Sequence, residues 1–126
     1  MAGFSGASGV PKKYVDDLVA QSTAITDGSS GITYQYADAS NRGVSVYKSG
    51  KLVYVRITKL KTSTTSFTAT LTLPVGYRPA VSAYGVLRAE DSSVAGAYVG
   101  PSDGAFILSG HSTSKVYSGS VLFFTA

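Results

Sequence analysis

Between Val44 and Pro79, apolar and polar positions exchange with the period of a β-strand. Val53, Val55 and Ile57 share one face, and Leu52, Tyr54 and Arg56 share the other, because successive strand side chains point to opposite sides. Val44–Lys48 matches this run across Ser49 and Gly50, a hairpin pattern. Beyond Thr58 the alternation slips, and Lys59 and Lys61 would fall on the apolar face. A bulge near Thr58 is expected to restore the phase. Ser66–Leu73 alternates again, with Phe67, Ala69, Leu71 and Leu73 inward and Thr68, Thr70 and Thr72 outward. Pro74 and Pro79 bracket a loop, since neither suits a central strand.

Ile32–Tyr36, Val81–Arg88, Val94–Val99, Ala105–Ser109 and Val116–Thr125 also read as strands. Asp38–Gly43, Ala89–Ser93 and Gly100–Gly104 read as turns, and Gly110–Lys115 as a polar loop. About eight short strands at this spacing predict an all-β fold, a jelly-roll-like antiparallel β-sandwich. In the last strand Val121 and Phe123 face one way, and Leu122 and Phe124 the other. A strand apolar on both sides is covered on both sides, which predicts an oligomer. Phe123→Asp is then expected to block assembly.

Val10–Ile25 is the one helical pattern. Ser8 or Gly9 can cap it, and Pro11 suits the first turn. Val15, Leu18, Ser22 and Ile25 are spaced as a heptad seam. Two readings stay open: a helix packed on its own domain, or the end of a coiled-coil stem where several chains meet. The plan is a flexible leader over 1–9, a short helix over 10–28, and a β-sandwich over 29–126.

Composition narrows the function classes. The chain has 126 residues, and only 14% are charged, against roughly 25% in an average globular protein. It contains no cysteine, which excludes disulfides and thiolate metal sites. The net charge of +4 permits an anionic partner. The eleven basic residues are scattered, however, with no run interleaved with stacking aromatics, so no nucleic-acid partner is expected. No apolar run approaches the ~20 residues that span a bilayer, so no membrane insertion is expected. The N-terminus carries no signal-peptide pattern.

Candidate chemistry is sparse. The acids Asp38, Glu90, Asp91 and Asp103 could in principle supply a pair for glycan hydrolysis. Adjacent Glu90 and Asp91 would diverge in a strand, and Asp103 sits in a turn pattern. No catalytic residues, metal ligands or cofactors are therefore expected. A lone His111 allows only an exposed loop residue, a ligand contact, or one metal shared on a symmetry axis. Sugar sites pair aromatic faces with carboxylate and amide acceptors. Asp91, Tyr98, Asp103, His111 and Tyr117 lie in or beside the loops of the second half, and are the candidate saccharide contacts. Turn and packing roles compete with binding at each of them.

The hairpin followed by Leu-Pro-Val-Gly-Tyr-Arg-Pro resembles the C-terminal head domains of bacteriophage receptor-binding proteins and tail fibres. Val44–Val55 matches their strand pair, and Leu73–Pro79 their T-L-P-x-G-Y-R-P segment. Asp103–Leu108 matches a D-G-x-I/F-x-L centre, and Val121–Phe124 the final aromatic-rich strand. The resemblance covers residues 43–126 in order. It implies a homotrimer of jelly-roll heads on a short stem, binding a bacterial cell-wall or capsular saccharide. Residues 29–126 would be the receptor-binding head and 10–28 the end of the stem. The N-terminus would join other phage tail or baseplate proteins, on a virion assembled in host cytoplasm. Tyr77 and Arg78 are expected to form a fixed corner. The alternatives are a virion decoration or trimerisation module and, behind it, a glycan-depolymerising enzyme.

Overall fold

A computed structural model describes residues 24–126, so the predicted leader and nearly all of the predicted helix lie outside the described residues. Nine strands form one antiparallel sheet: β1 (Thr26–Asp27), β2 (Thr33–Tyr34), β3 (Ala37–Ser49), β4 (Leu52–Thr62), β5 (Ala69–Thr72), β6 (Ala83–Ala89), β7 (Val94–Val99), β8 (Ala105–Ser109) and β9 (Tyr117–Phe124). The spatial order is β1-β3-β4-β9-β6-β7-β8-β5-β2. Residues 26 and 27, expected at the tail of a helix, instead pair with Lys48 and Tyr47. Asp27 then accepts the Ser29 N–H at 2.9 Å and starts a 3-10 turn over Ser29–Gly31.

The sheet curls because one chain segment serves two distant strands. Thr33 pairs with Thr72 of β5, while Ala37, four residues on, pairs with Thr62 of β4. Between them, the Gln35 and Tyr36 N–H groups both donate to the Thr70 carbonyl at 3.1 Å, and the Tyr36 carbonyl accepts Ser63 N–H at 2.8 Å. The curled sheet encloses one core, in which Val46, Val53, Val55, Leu60, Leu71, Leu87, Val99 and Phe106 are fully buried.

The bulge near Thr58 is present. Val44 faces Ile57 while Gly43 faces Lys59, so Thr58 is the extra residue. On the other side β4 also shifts against β9 between Ile57 and Leu60. The shift keeps Leu60 and Thr62 inward after Ile57 and turns Lys59 out. Thr58 Oγ1 donates to the Gly43 carbonyl at 2.9 Å, and a Cβ at position 43 would collide with that hydroxyl.

Two expectations fail for the same kind of reason. Asp38–Gly43 is not a turn between strands. Ala37 pairs with Thr62 and Arg42 with Leu60, so residues 38–41 form a wide bulge inside the long β3. The Asp38 carboxylate accepts from Ser40 N and Asn41 Nδ2 at 3.2 and 2.9 Å, and the Arg42 guanidinium closes the neck on the Ala37 carbonyl. Turn chemistry was legible there, but both flanks hold the same neighbour. In β5, Ala69 faces Ile107 and Leu71 faces Phe106, which leaves Thr70 as the extra residue. Thr70 is buried, its hydroxyl bonded to Thr62 Oγ1 at 3.2 Å, and Phe67 is 66% exposed. A buried hydroxyl with a partner is tolerated, and it reverses the phase expected for Phe67.

The corner at Leu73–Pro79 is stapled by Arg78. Its Nε donates to the Leu73 carbonyl at 3.0 Å and its Nη1 to the Ser102 carbonyl at 3.1 Å. Thr125 Oγ1 donates to the Arg78 carbonyl at 2.7 Å, and Lys48 lies 4.7 Å from the Tyr77 ring centroid. Gly104, at φ +65°, sits where a Cβ would lie 2.6 Å from Arg78 Nε and 2.9 Å from the Leu73 carbonyl oxygen. Gly104→Ala combines left-handed strain with this clash and should cost about 1–3 kcal/mol, read as a lower urea midpoint with unchanged slope.

The last strand divides as predicted: Val121 and Phe123 are buried, while Leu122 and Phe124 are 59% and 69% exposed. Phe123 therefore lies in the monomer's own core. Phe123→Asp should remove roughly 3 kcal/mol or more of folding free energy, visible as lost cooperative unfolding. A soluble, fully folded monomer from that variant would contradict the inward placement of Phe123.

Candidate functional site

The irregular features gather at one end of the sheet. The wide bulge of β3, the Thr58 bulge of β4, the β6–β7 turn and the Gly110–Val116 loop meet around an open cleft of about 910 Å³. Asn41, Thr58 and Lys59 line one side, Arg88, Glu90 and Asp91 a second, and Ser114–Ser118 a third. Bulges and turns release side chains from the strict inside-outside alternation, which is why polar groups can converge here.

Local chemistry sets each wall. The β6–β7 turn closes with Ala89 N–H on the Ser93 carbonyl at 2.8 Å, and Ser92 takes a positive φ of 70°. Asp91 Oδ1 accepts the Ser93 N–H at 3.0 Å and the Ser93 hydroxyl at 2.5 Å. Its other oxygen meets Lys115 Nζ at 3.0 Å. Lys115 also donates to Ser93 Oγ at 3.0 Å, so the turn and the loop after β8 are tied together. Arg88 donates to Ser92 Oγ at 2.8 Å. The Ser93 hydroxyl first, then Lys115 and the Ser93 N–H, hold the Asp91 carboxyl well below the usual carboxylate range.

The five sequence-predicted contacts separate into different places. Asp91 and Tyr117 both line the cleft. The Tyr117 ring, 2% exposed, belongs to the core, and its hydroxyl accepts Ser112 N–H at 2.9 Å. Its part in the cleft is the floor. His111 Nε2 donates to the Thr64 carbonyl at 2.7 Å, and its Nδ1 is buried without a partner among the described residues. That bond anchors the loop that carries Lys115. Asp103 Oδ1 accepts Ala105 N–H at 3.1 Å and shapes the turn before β8. Tyr98 stands on the outer sheet face, 5.5 Å from Tyr84 and 6.0 Å from Phe67 between ring centroids.

Arg88, Lys59 and Asn41 were missed as site residues, and Glu90 was weighed only as a catalytic acid. The signal was available in the register. The phase break at Thr58, the Asp38–Gly43 turn chemistry and the Ala89–Ser93 turn are three irregularities, and the β3–β4–β9–β6 pairing places them at one end. Comparison of the chain with protein-family models, curated proteins and solved structures finds no match.

Chemically, the cleft brings together cations, carboxylates, an amide and several hydroxyls, groups that can both donate to and accept from a polar ligand. Asp91 is held as an anion and cannot serve as a proton donor near neutral pH. Because its folded-state pKa is depressed, its stabilising contribution is complete above the ordinary 3.8 and is lost as pH falls through the folded value. Carboxyl NMR should therefore show Asp91 still ionised at about pH 3. Asp91→Asn should flatten the acid limb of the stability curve. Titration of Asp91 at its ordinary value would contradict the contacts described here.

Proposed function

We propose that this chain is the receptor-binding head of a phage tail fibre or baseplate, which attaches as a homotrimer to a bacterial cell-wall or capsular saccharide without catalysis. The observation that carries the reading is the cleft's position. The described chain enters beside the Gly50 turn, where Thr26 pairs with Lys48. The cleft residue Thr58 lies roughly 20 Å farther along β4, at six residues of strand rise. A head carried from one end and open at the other suits attachment to a surface. The motif resemblance adds to this, since its Leu73–Pro79 segment forms the Arg78-stapled corner rather than the cleft wall. In this reading the curled sheet is a jelly-roll-like sandwich. The particle is a virion assembled in host cytoplasm, and the residues before 24 join the head to other tail or baseplate proteins.

A depolymerase needs one carboxyl that donates a proton and a second that acts as base or nucleophile. Asp91 is bound to Lys115 and Ser93 in a way that removes it from the first role. The test is an array of host-surface polysaccharides. The chain should bind a subset of them, compete with phage for host cells, and release no reducing ends. Arg88→Ala should weaken binding about tenfold through a lost charge-assisted hydrogen bond, without altering the circular dichroism. An empty array from folded, assembled protein would favour the decoration-module alternative, and released reducing ends would favour the enzyme.

A further inference from the structure

The outer face of the sheet carries an apolar band at the end opposite the cleft. One row across the strands contains Ser49, Leu52 and Phe124, which are direct register partners. The next contains Tyr47, Tyr54 and Leu122. Continuing the β6–β9 register from Leu87 and Gly119 places Tyr84 beside Leu122. The approach of Gly85 to Val121 agrees, since a Cβ at 85 would lie 2.9 Å from Val121 Cγ2. Tyr84 in turn pairs with Tyr98. The rows thus form one belt over five adjacent strands.

The belt is open. Tyr84 is 74% exposed, Phe124 69%, Leu122 59%, and Tyr54 and Leu52 39% each. At the areas typical of such side chains, this leaves roughly 600 Å² of apolar surface facing water. That is the upper end for a patch on a monomer. It also approaches the ~800 Å² each partner contributes to a stable protein interface. Its make-up is that of an interface centre, with tyrosine, phenylalanine and leucine and no charge in either row between β3 and β7. A saccharide would need carboxylate or amide acceptors beside the rings, and these rows hold none.

We infer that the Leu52–Tyr54–Leu122–Phe124–Tyr84 belt is the surface through which copies of this chain pack on one another. The occupant is the same belt of the other copies in the proposed homotrimer, because the open area approaches one partner's share of a stable interface and the packing leaves the cleft, at the far end of β4, unobstructed. Around a threefold axis the three belts converge, and each meets both of its neighbours at one apolar centre. The inference rests on the assembled head proposed above and names the surface that assembles it.

Light scattering on the full chain at micromolar concentration tests it. The wild type should show a multiple of the 13.0 kDa chain mass. Leu122→Glu and Phe124→Glu should each raise the dissociation constant at least a hundredfold, and yield monomers with unchanged circular dichroism. Both side chains already face water in the single chain, so neither change threatens the fold. Should either variant aggregate, Tyr84→Ser serves as the second reading with the same expected monomer. A wild-type oligomer that survives all three substitutions overturns this surface but leaves the assembled head standing. A wild-type monomer overturns both. A monomer whose belt amides are nevertheless protected from hydrogen exchange means that residues 1–23 of the same chain cover the belt, and this too overturns the inference.

Discussion

Every layer of this fold depends on one local event in β4, the insertion of Thr58. Without it, Val53, Val55 and Ile57 would be followed inward by Lys59 and Lys61, and an unpaired ammonium group inside the core is costly. With it, Leu60 and Thr62 continue the buried row, and the lysine side chains are released outward. The shift is felt on both neighbours of β4, because β3 and β9 must each absorb the same extra residue. The bulge also turns the strand, and the far end of β4 is where the curled sheet meets Ala37 and Ser63.

The same event prepares the candidate site. A regular sheet edge would present alternating side chains and a row of peptide groups. Here a four-residue bulge, a one-residue bulge and a tight acidic turn lie together, and each frees polar side chains that the core does not claim. The Asp91–Lys115 pair and the His111–Thr64 bond then fix the loop that forms the third wall. The floor is a core tyrosine whose hydroxyl holds a loop amide, so cleft shape and core packing are the same structural problem.

Most of the strand plan was legible in the sequence, because period-two alternation directly reflects a half-buried strand. Val94–Val99 and Ala105–Ser109 are found at their expected bounds, and the Thr58 bulge was visible as a break of phase. The inversion at Phe67 was not legible, because a buried Thr70 is polar by type and becomes acceptable only through Thr62, eight residues earlier in the chain and adjacent in space. The candidate site was legible only in Asp91 and, as its floor, Tyr117. Asp103 Oδ1 and His111 Nε2 are engaged by Ala105 and Thr64, outside the cleft lining. Those partners depend on loop geometry, which short-range sequence patterns do not encode.

The two edges of the sheet are formed by its shortest strands. β1 and β2 have two residues each and follow one another in the chain through the 3-10 turn. A long bare edge is a template on which strands of other molecules can add without limit. Among the described residues β1 covers β3 only at Tyr47 and Lys48, and the wide bulge over residues 38–41 interrupts the rest of that edge. A bulge breaks the regular row of peptide groups, so the uncovered length of β3 is a poor template for the addition of further strands.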